Sequence, residues 1–184
     1  MGLLDQATFA SWHDFYLTIG AASASLIGLL FVALSLNLDA ITETSSEDLR
    51  ALGEQAFNSF SLVLLIALFF LIPTNDPTTY GVAFVALAAG GAYRMLRRAP
   101  AVWRGRQRDR LGEGVVWRFV LPAAALVGLL ASGLGLLVDQ PSALYWLVAV
   151  IIGLLMSAAR SSWDLLVKVG ENRRGTGTPA SEQG

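Results

Sequence analysis

The chain has 184 residues, is 54% hydrophobic and 15% charged, and has a mean hydropathy of +0.57. A soluble domain carries about 25% charge; here five apolar segments take up most of the length and leave no room for a separate soluble domain. There is no cysteine and one histidine, His13, which excludes disulfides, thiolate metal sites, a Cys nucleophile and a typical zinc site.

Residues 1–14 carry no Lys or Arg, so the positive region of a signal peptide is missing and the following apolar run is expected to stay as a first helix. That run, 15–38, is charge-free, and Trp12, Phe15 and Tyr16 precede or open it as an interfacial aromatic belt. Residues 39–54 form a connection with five acids against Arg50, a net of −4. Ser45 or Ser46 followed by acids is a helix N-cap signal, so a second helix is expected to begin there, with Leu49 and Leu52 as its apolar edge. Its span, 55–73, stops at Pro73. Pro77 opens a third helix with a span of 79–96, expected to break by Pro100.

Residues 94–118 are the basic stretch, with eight Arg against Asp109 and Glu113, a net of +6. A fourth span follows at 117–138, with Pro122 early in it, where a kink or late start is tolerated. The fifth, 143–163, has Tyr145 and Trp146 at one end and Trp163 at the other. The tail, 170–184, is polar and expected to be disordered. The expected fold is therefore all-α: a polytopic transmembrane bundle of five spans over residues 1–169. Each span is about as long as a ~30 Å hydrocarbon layer requires.

Basic residues retained in short loops mark the cytoplasmic side. All thirteen lie in 39–54, in 94–118 or from Arg160 onward, beyond the charge-free part of the last span. That puts the N-terminus outside and the C-terminus inside. A re-entrant hairpin of the second and third spans would leave both ends of that hairpin inside. Twelve of the thirteen are Arg, which with the many Ala, Gly and Leu points to a GC-rich bacterial genome and an inner-membrane location.

Small residues recur at helical spacing: Gly20, Ala24 and Gly28 on the first helix, Ala86 and Gly90 on the third, Ala124, Gly128 and Ser132 on the fourth, Gly153 and Ser157 on the fifth. Such stripes let helix backbones approach closely in lipid. Gly20, Ala24, Gly28, Gly128, Ser132, Gly153 and Ser157 are the candidate helix-packing residues, with the first helix at the centre of the bundle. Arg97, Arg98, Arg104, Arg106, Arg108 and Arg110 are the candidate contacts for anionic lipid headgroups at the cytoplasmic face. No nucleic-acid motif accompanies them.

Asn58 is the polar residue at depth hardest to leave unpaired, and an interhelical hydrogen bond is expected for it. No acid or histidine lies within the charge-free segments, which argues against an ion-coupled pump. His13 with Asp14 reads as an interfacial hydrogen-bonding pair, and Arg160 with Asp164 as neighbours one helical turn apart. No catalytic spacing, cofactor motif or metal-ligand set is present. The leading expectation is a non-enzymatic interaction or regulatory subunit that self-associates or meets a membrane-protein partner. The alternative is a homo-oligomeric channel lined by the first helix, whose axis would be bordered by Ser23, Ser25, Ser35 or Asn37.

Residues 12–37 contain His13-Asp14-Phe15-Tyr16, Gly20-Ala21-Ala22-Ser23-Ala24 and Gly28-Leu29-Leu30-Phe31-Val32-Ala33-Leu34-Ser35. This segment resembles a family of small bacterial integral membrane proteins, some labelled modulators of the FtsH membrane protease. The resemblance covers about one seventh of the chain and carries over no functional residue. Ser23-Ala24-Ser25-Leu26-Ile27-Gly28 with Val32-Ala33 is also similar to the pore helix of calcium-release-activated channels. Leu36 stands where that family has a selectivity glutamate, and that family has four spans and a cytoplasmic N-terminus.

Overall fold

The computed structural model describes residues 6–37, 47–72, 76–106, 112–140 and 142–175. They form five helices: α1 (Gln6–Ser35), α2 (Glu47–Leu71), α3 (Pro77–Arg106), α4 (Gly112–Leu137) and α5 (Ala143–Gly175). The acid-rich start of α2 follows from the capping signal before it, although Ser45 and Ser46 themselves lie outside the described residues. Leu49 and Leu52 are buried. Asp76 caps α3: its carboxylate accepts hydrogen bonds from the Thr78 N–H (3.0 Å) and the Thr79 hydroxyl (3.1 Å). Pro77 takes the first helical position, where its missing N–H costs nothing.

Three boundaries differ from the sequence expectation. The third helix does not break at Pro100 but runs on to Arg106; a proline forfeits one backbone hydrogen bond, and its fixed φ is still helical. The fourth begins at Gly112, with Pro122 inside it. The fifth continues to Gly175, so the helix occupies 170–175 and only 176–184 of the expected tail lies outside the described residues. At the end of α4, Asp139 adopts φ 55°. The Gln140 N–H bonds to the Gly135 carbonyl (3.0 Å) and the Asp139 N–H to that of Leu136 (3.1 Å). This is a Schellman stop with Asp in the position glycine usually takes.

Around the bundle the helices neighbour one another in the order α1, α2, α5, α4, α3, with a lighter contact closing α3 onto α2. So α2 to α5 form a four-helix ring, and α1 lies outside it against α2. This corrects the expectation that the first helix is central. The interior of the ring is filled by side chains such as Val63, Ile66, Phe84, Leu129, Leu136, Leu147 and Ile151. A second apolar cluster joins α1, α2 and α5 through Leu30, Leu52, Ala56, Phe60, Ala158 and Leu165.

Four helices contain stretches long and apolar enough to cross a membrane: Trp12–Ser35, Leu49–Leu71, Val120–Leu137 and Ala143–Gly170. The burial pattern agrees with lipid as solvent. Phe31, Leu36, Leu68, Val127, Trp146, Ile152 and Met156 are exposed along these helices, whereas Ser23, Ser59, Ser132, Ser157 and Ser161 are buried. Such a contiguous apolar exterior is foreign to a soluble monomer. Small hydroxylated residues inside and large apolar ones outside is the arrangement that helix packing in a bilayer favours. The chain is a helical, multi-pass membrane protein.

Candidate functional site

The features with functional content are helix faces, and the structure separates closed ones from open ones. The closest closed face lies between α3 and α4. A Cβ built on Gly81 would sit 2.9 Å from the Gly133 carbonyl oxygen and 2.8 Å from Leu137 Cγ; one built on Gly133 would sit 3.0 Å from the Val85 nitrogen and 3.1 Å from the Gly81 carbonyl oxygen. Two backbones therefore touch at a reciprocal glycine pair. Further along, Gly91 accommodates Leu126, and on the other side of α4 Gly135 accommodates Ala143 at 2.9 Å. Gly81, Gly91, Gly133 and Gly135 were not among the predicted packing residues. Glycine in a helix interior costs about 1 kcal/mol relative to alanine, and at these four a close neighbour stands where a side chain would be; sequence spacing alone does not separate them from Gly28 and Gly153, which are open at the same place.

The predicted residues divide. Gly20 is buried, its Cβ position 3.1 Å from Ala67 of α2. Gly128 is half-buried against Val150, and Ser132 and Ser157 are buried. Ala24 and Gly28 are exposed, and nothing lies within 4 Å of a Cβ at Gly28. Gly153 is half-buried and likewise open at its Cβ. On α3, Ala86 and Gly90 are exposed. The stripe α1 uses against α2 is instead Tyr16, Gly20, Ser23 and Leu30, all buried. Ala21, Ala22, Ala24, Ser25 and Gly28 face outward from α1.

At one end of the molecule an aromatic cluster ties α1 to the ring. Tyr16 stacks on Phe70 of α2 with centroids 3.9 Å apart. Phe70 in turn stacks on Tyr80 (5.1 Å) and Phe84 (5.6 Å) of α3. Trp12 meets Tyr145 of α5 edge-on at 5.5 Å. The Tyr80 hydroxyl donates to the Ile72 carbonyl (3.1 Å), closing the α2–α3 hairpin. Trp12 and Phe15 are half-buried, but Tyr16 is fully enclosed and its hydroxyl has no hydrogen-bond partner. The belt residue of the sequence reading is thus a core residue. Ser23 and Ser132 also have unpaired buried hydroxyls.

The exposed hydroxyls on α1 are satisfied locally: Ser25 donates to the Ala21 carbonyl (3.0 Å) and Ser35 to that of Phe31 (2.8 Å). Asn37 caps the end of α1 by donating to the Ala33 carbonyl (2.8 Å). Asn58 is exposed on α2 and makes no hydrogen bond to another described helix; its own helix turns it outward. His13, Asp14, Arg160 and Asp164 are exposed.

Arg97 is exposed with its guanidinium 5.7 Å from the Tyr93 ring centroid, a cation–π approach. Arg98, Arg104 and Arg106 lie on the continuation of α3, whereas Arg108 and Arg110 fall outside the described residues. Asp76, between α2 and α3, has its carboxyl held below the ordinary value of 3.8, first by the Thr78 N–H. Among the described residues no group of three or more His, Cys, Asp or Glu could hold a metal ion. No known family model, curated protein or solved structure matches this chain.

Proposed function

We propose that this protein is a non-enzymatic, five-span inner-membrane subunit that self-associates through the outward face of α1. The observation behind this reading is that α1 has extended contact with a single neighbour, α2, and leaves Ala21, Ala24, Ser25 and Gly28 uncovered. Small residues in an exposed transmembrane position bury little against lipid but permit a second helix backbone to come close. A fifth crossing is supported by the register of α3 on α4: Gly81 meets Gly133 and Gly91 meets Leu126, so α3 runs beside the apolar part of α4 for about three turns. Its Ala- and Gly-rich composition and Arg94, Arg97 and Arg98 keep its mean hydropathy low. With five crossings, the basic loop and C-terminus are cytoplasmic and the N-terminus is outside. Arg97 and its neighbours then meet the anionic leaflet, each contributing about 1 kcal/mol.

The channel reading is weaker. Within one chain α1 lines no interior, and the ring of α2 to α5 is filled by Leu, Ile, Val and Phe side chains. The test is the mass of the particle in nanodiscs or mild detergent. Wild type is expected to be a dimer or larger, and Ala24→Leu with Gly28→Leu a monomer of unchanged helicity. A monomeric wild type would overturn the association. A reporter that works only outside the cytoplasm, fused after Lys168, is expected to be silent; activity there would overturn the orientation.

A further inference from the structure

α3 contains no Asp or Glu. On α2, by contrast, Arg50 has Glu54 one helical turn away, and on α5 Arg160 and Lys168 flank Asp164 at the same spacing. Arg94 and Arg97 of α3 are exposed, have no such neighbour, and form no ion pair among the described residues. Tyr93 is exposed beside them, and the Arg97 guanidinium lies 5.7 Å from its ring centroid. Tyr93, Arg94 and Arg97 fall within about 100° of the helix circumference, so they share one face. We propose that Arg94 and Arg97, the latter oriented by Tyr93, hold the phosphate of an anionic phospholipid at the inner end of the α3 span. The site rests on the proposed crossing of α3, not on the association of α1.

Depth selects the occupant. Arg94 and Arg97 lie about 26 and 30 Å along α3 from Pro77, and the hydrocarbon layer is about 30 Å thick. Long basic side chains at that depth reach outward to the phosphate plane, and a tyrosine belongs at the same level. A soluble anion or an acidic peptide would have to descend to the bilayer surface, whereas a lipid phosphate is already there. The acyl chain below the phosphate has room as well. Ala86, Ala89 and Gly90 are exposed one to two turns below Tyr93 on that face, and nothing lies within 4 Å of a Cβ at Gly90. Net charge selects the headgroup. Two guanidiniums without an acid favour a headgroup that stays negative over one whose own ammonium already balances its phosphate. A guanidinium binds phosphate oxygens through parallel N–H donors, and stacking on Tyr93 fixes the plane of Arg97 while leaving its edge free.

The test is native mass spectrometry of full-length protein in mild detergent at low salt, with phosphatidylglycerol and phosphatidylcholine of matched chains supplied equally. Wild type is expected to retain phosphatidylglycerol about tenfold or more over phosphatidylcholine. Arg94→Gln with Arg97→Gln is expected to abolish the preference. Arg50→Gln with Arg160→Gln removes the same charge and is expected to keep it. Tyr93→Leu is expected to weaken retention about two- to fivefold, the reach of an exposed cation–π contact. No preference in wild type, or equal loss in the two charge-matched double variants, would overturn the site. If the Arg94 and Arg97 variant does not fold, Tyr93→Leu decides: an unchanged preference there overturns the proposal. The crossing is checked separately. The chain has no cysteine, so Ala89→Cys in vesicles carries the only thiol and is expected to resist a water-soluble maleimide. A reactive thiol would overturn the crossing of α3; a protected thiol with no lipid preference would overturn the site alone.

Discussion

α4 and α1 are the two most apolar helices and both are rich in Gly, Ala and Ser, yet the fold treats them oppositely. α4 is held from both sides, by α3 at the Gly81–Gly133 pair and by α5 at Gly135 and Ala143. α1 is held along one side by α2 and is pinned at one end by Tyr16 and Trp12. Towards its other end it parts from α5 and leaves a groove between them. A small residue in a membrane helix permits close approach without stating which neighbour approaches. The same residue types therefore build a closed seam in α4 and an open face in α1.

The largest effect is expected at the seam. Gly133→Leu would force a side chain against the Val85 nitrogen and the Gly81 carbonyl, where backbone and not a flexible side chain must yield. A loss of about 3 kcal/mol, the upper end for overpacking, is expected in detergent unfolding. Tolerance of leucine there would remove the contrast between the two helices.

Tyr16→Ala tests the pin. Deleting an enclosed aromatic ring is expected to cost about 3 kcal/mol and to loosen α1 from Phe70. Tyr16→Phe keeps the stack and removes a buried hydroxyl without a partner. It is expected to be neutral or to gain up to about 1 kcal/mol. A large loss with phenylalanine would show that the hydroxyl has a partner.

The two faces of α1 are separated by a pair of variants. Leu30→Ala, at 7% exposure, is expected to lower stability by about 2 kcal/mol, near the low end for such deletions because lipid is itself apolar. Gly28→Leu is expected to leave the unfolding midpoint of the single chain unchanged, because open space surrounds its Cβ, and to act on particle mass alone. Destabilisation of the monomer by Gly28→Leu exceeding that by Leu30→Ala would reverse the assignment of buried and open faces.

The smallest effect concerns Asp76, which caps α3, the partner of α4 in the seam. Its folded carboxyl lies below the ordinary 3.8, so its contribution is present above that value and is lost as pH falls through the folded pKa. Asp76→Asn is expected to flatten the stability profile slightly in that acid window and leave it unchanged at neutral pH. An identical acid dependence in the variant would assign it to another carboxylate.

Much of this was legible in the residues. Charge-free runs of about twenty residues, the acids that follow Ser45 and Ser46, and Pro77 at a helix start are local features, and local chemistry is enough to write them into sequence. The tryptophans and tyrosines could be assigned to helix ends, but not to lipid or core: Trp146 is exposed and Tyr16 enclosed, although both are aromatic residues near the same end. The expected hydrogen bond from Asn58 failed for the same reason, since its direction depends on which way α2 is turned.

By itself, then, the sequence determined a helical membrane protein, its apolar segments, their approximate limits and the uneven distribution of its basic residues. These follow from the cost of exposing backbone and charge to hydrocarbon, a cost each segment bears alone. Only the tertiary structure decided that α2 to α5 close a ring with α1 outside it, that Gly81 and Gly133 rather than Ala24 and Gly28 bring backbones together, and that α1 and α5 leave a groove. Lipid solvates every apolar face about equally, so the choice of neighbour rests on shape complementarity between whole helices, which spacing along one of them does not encode.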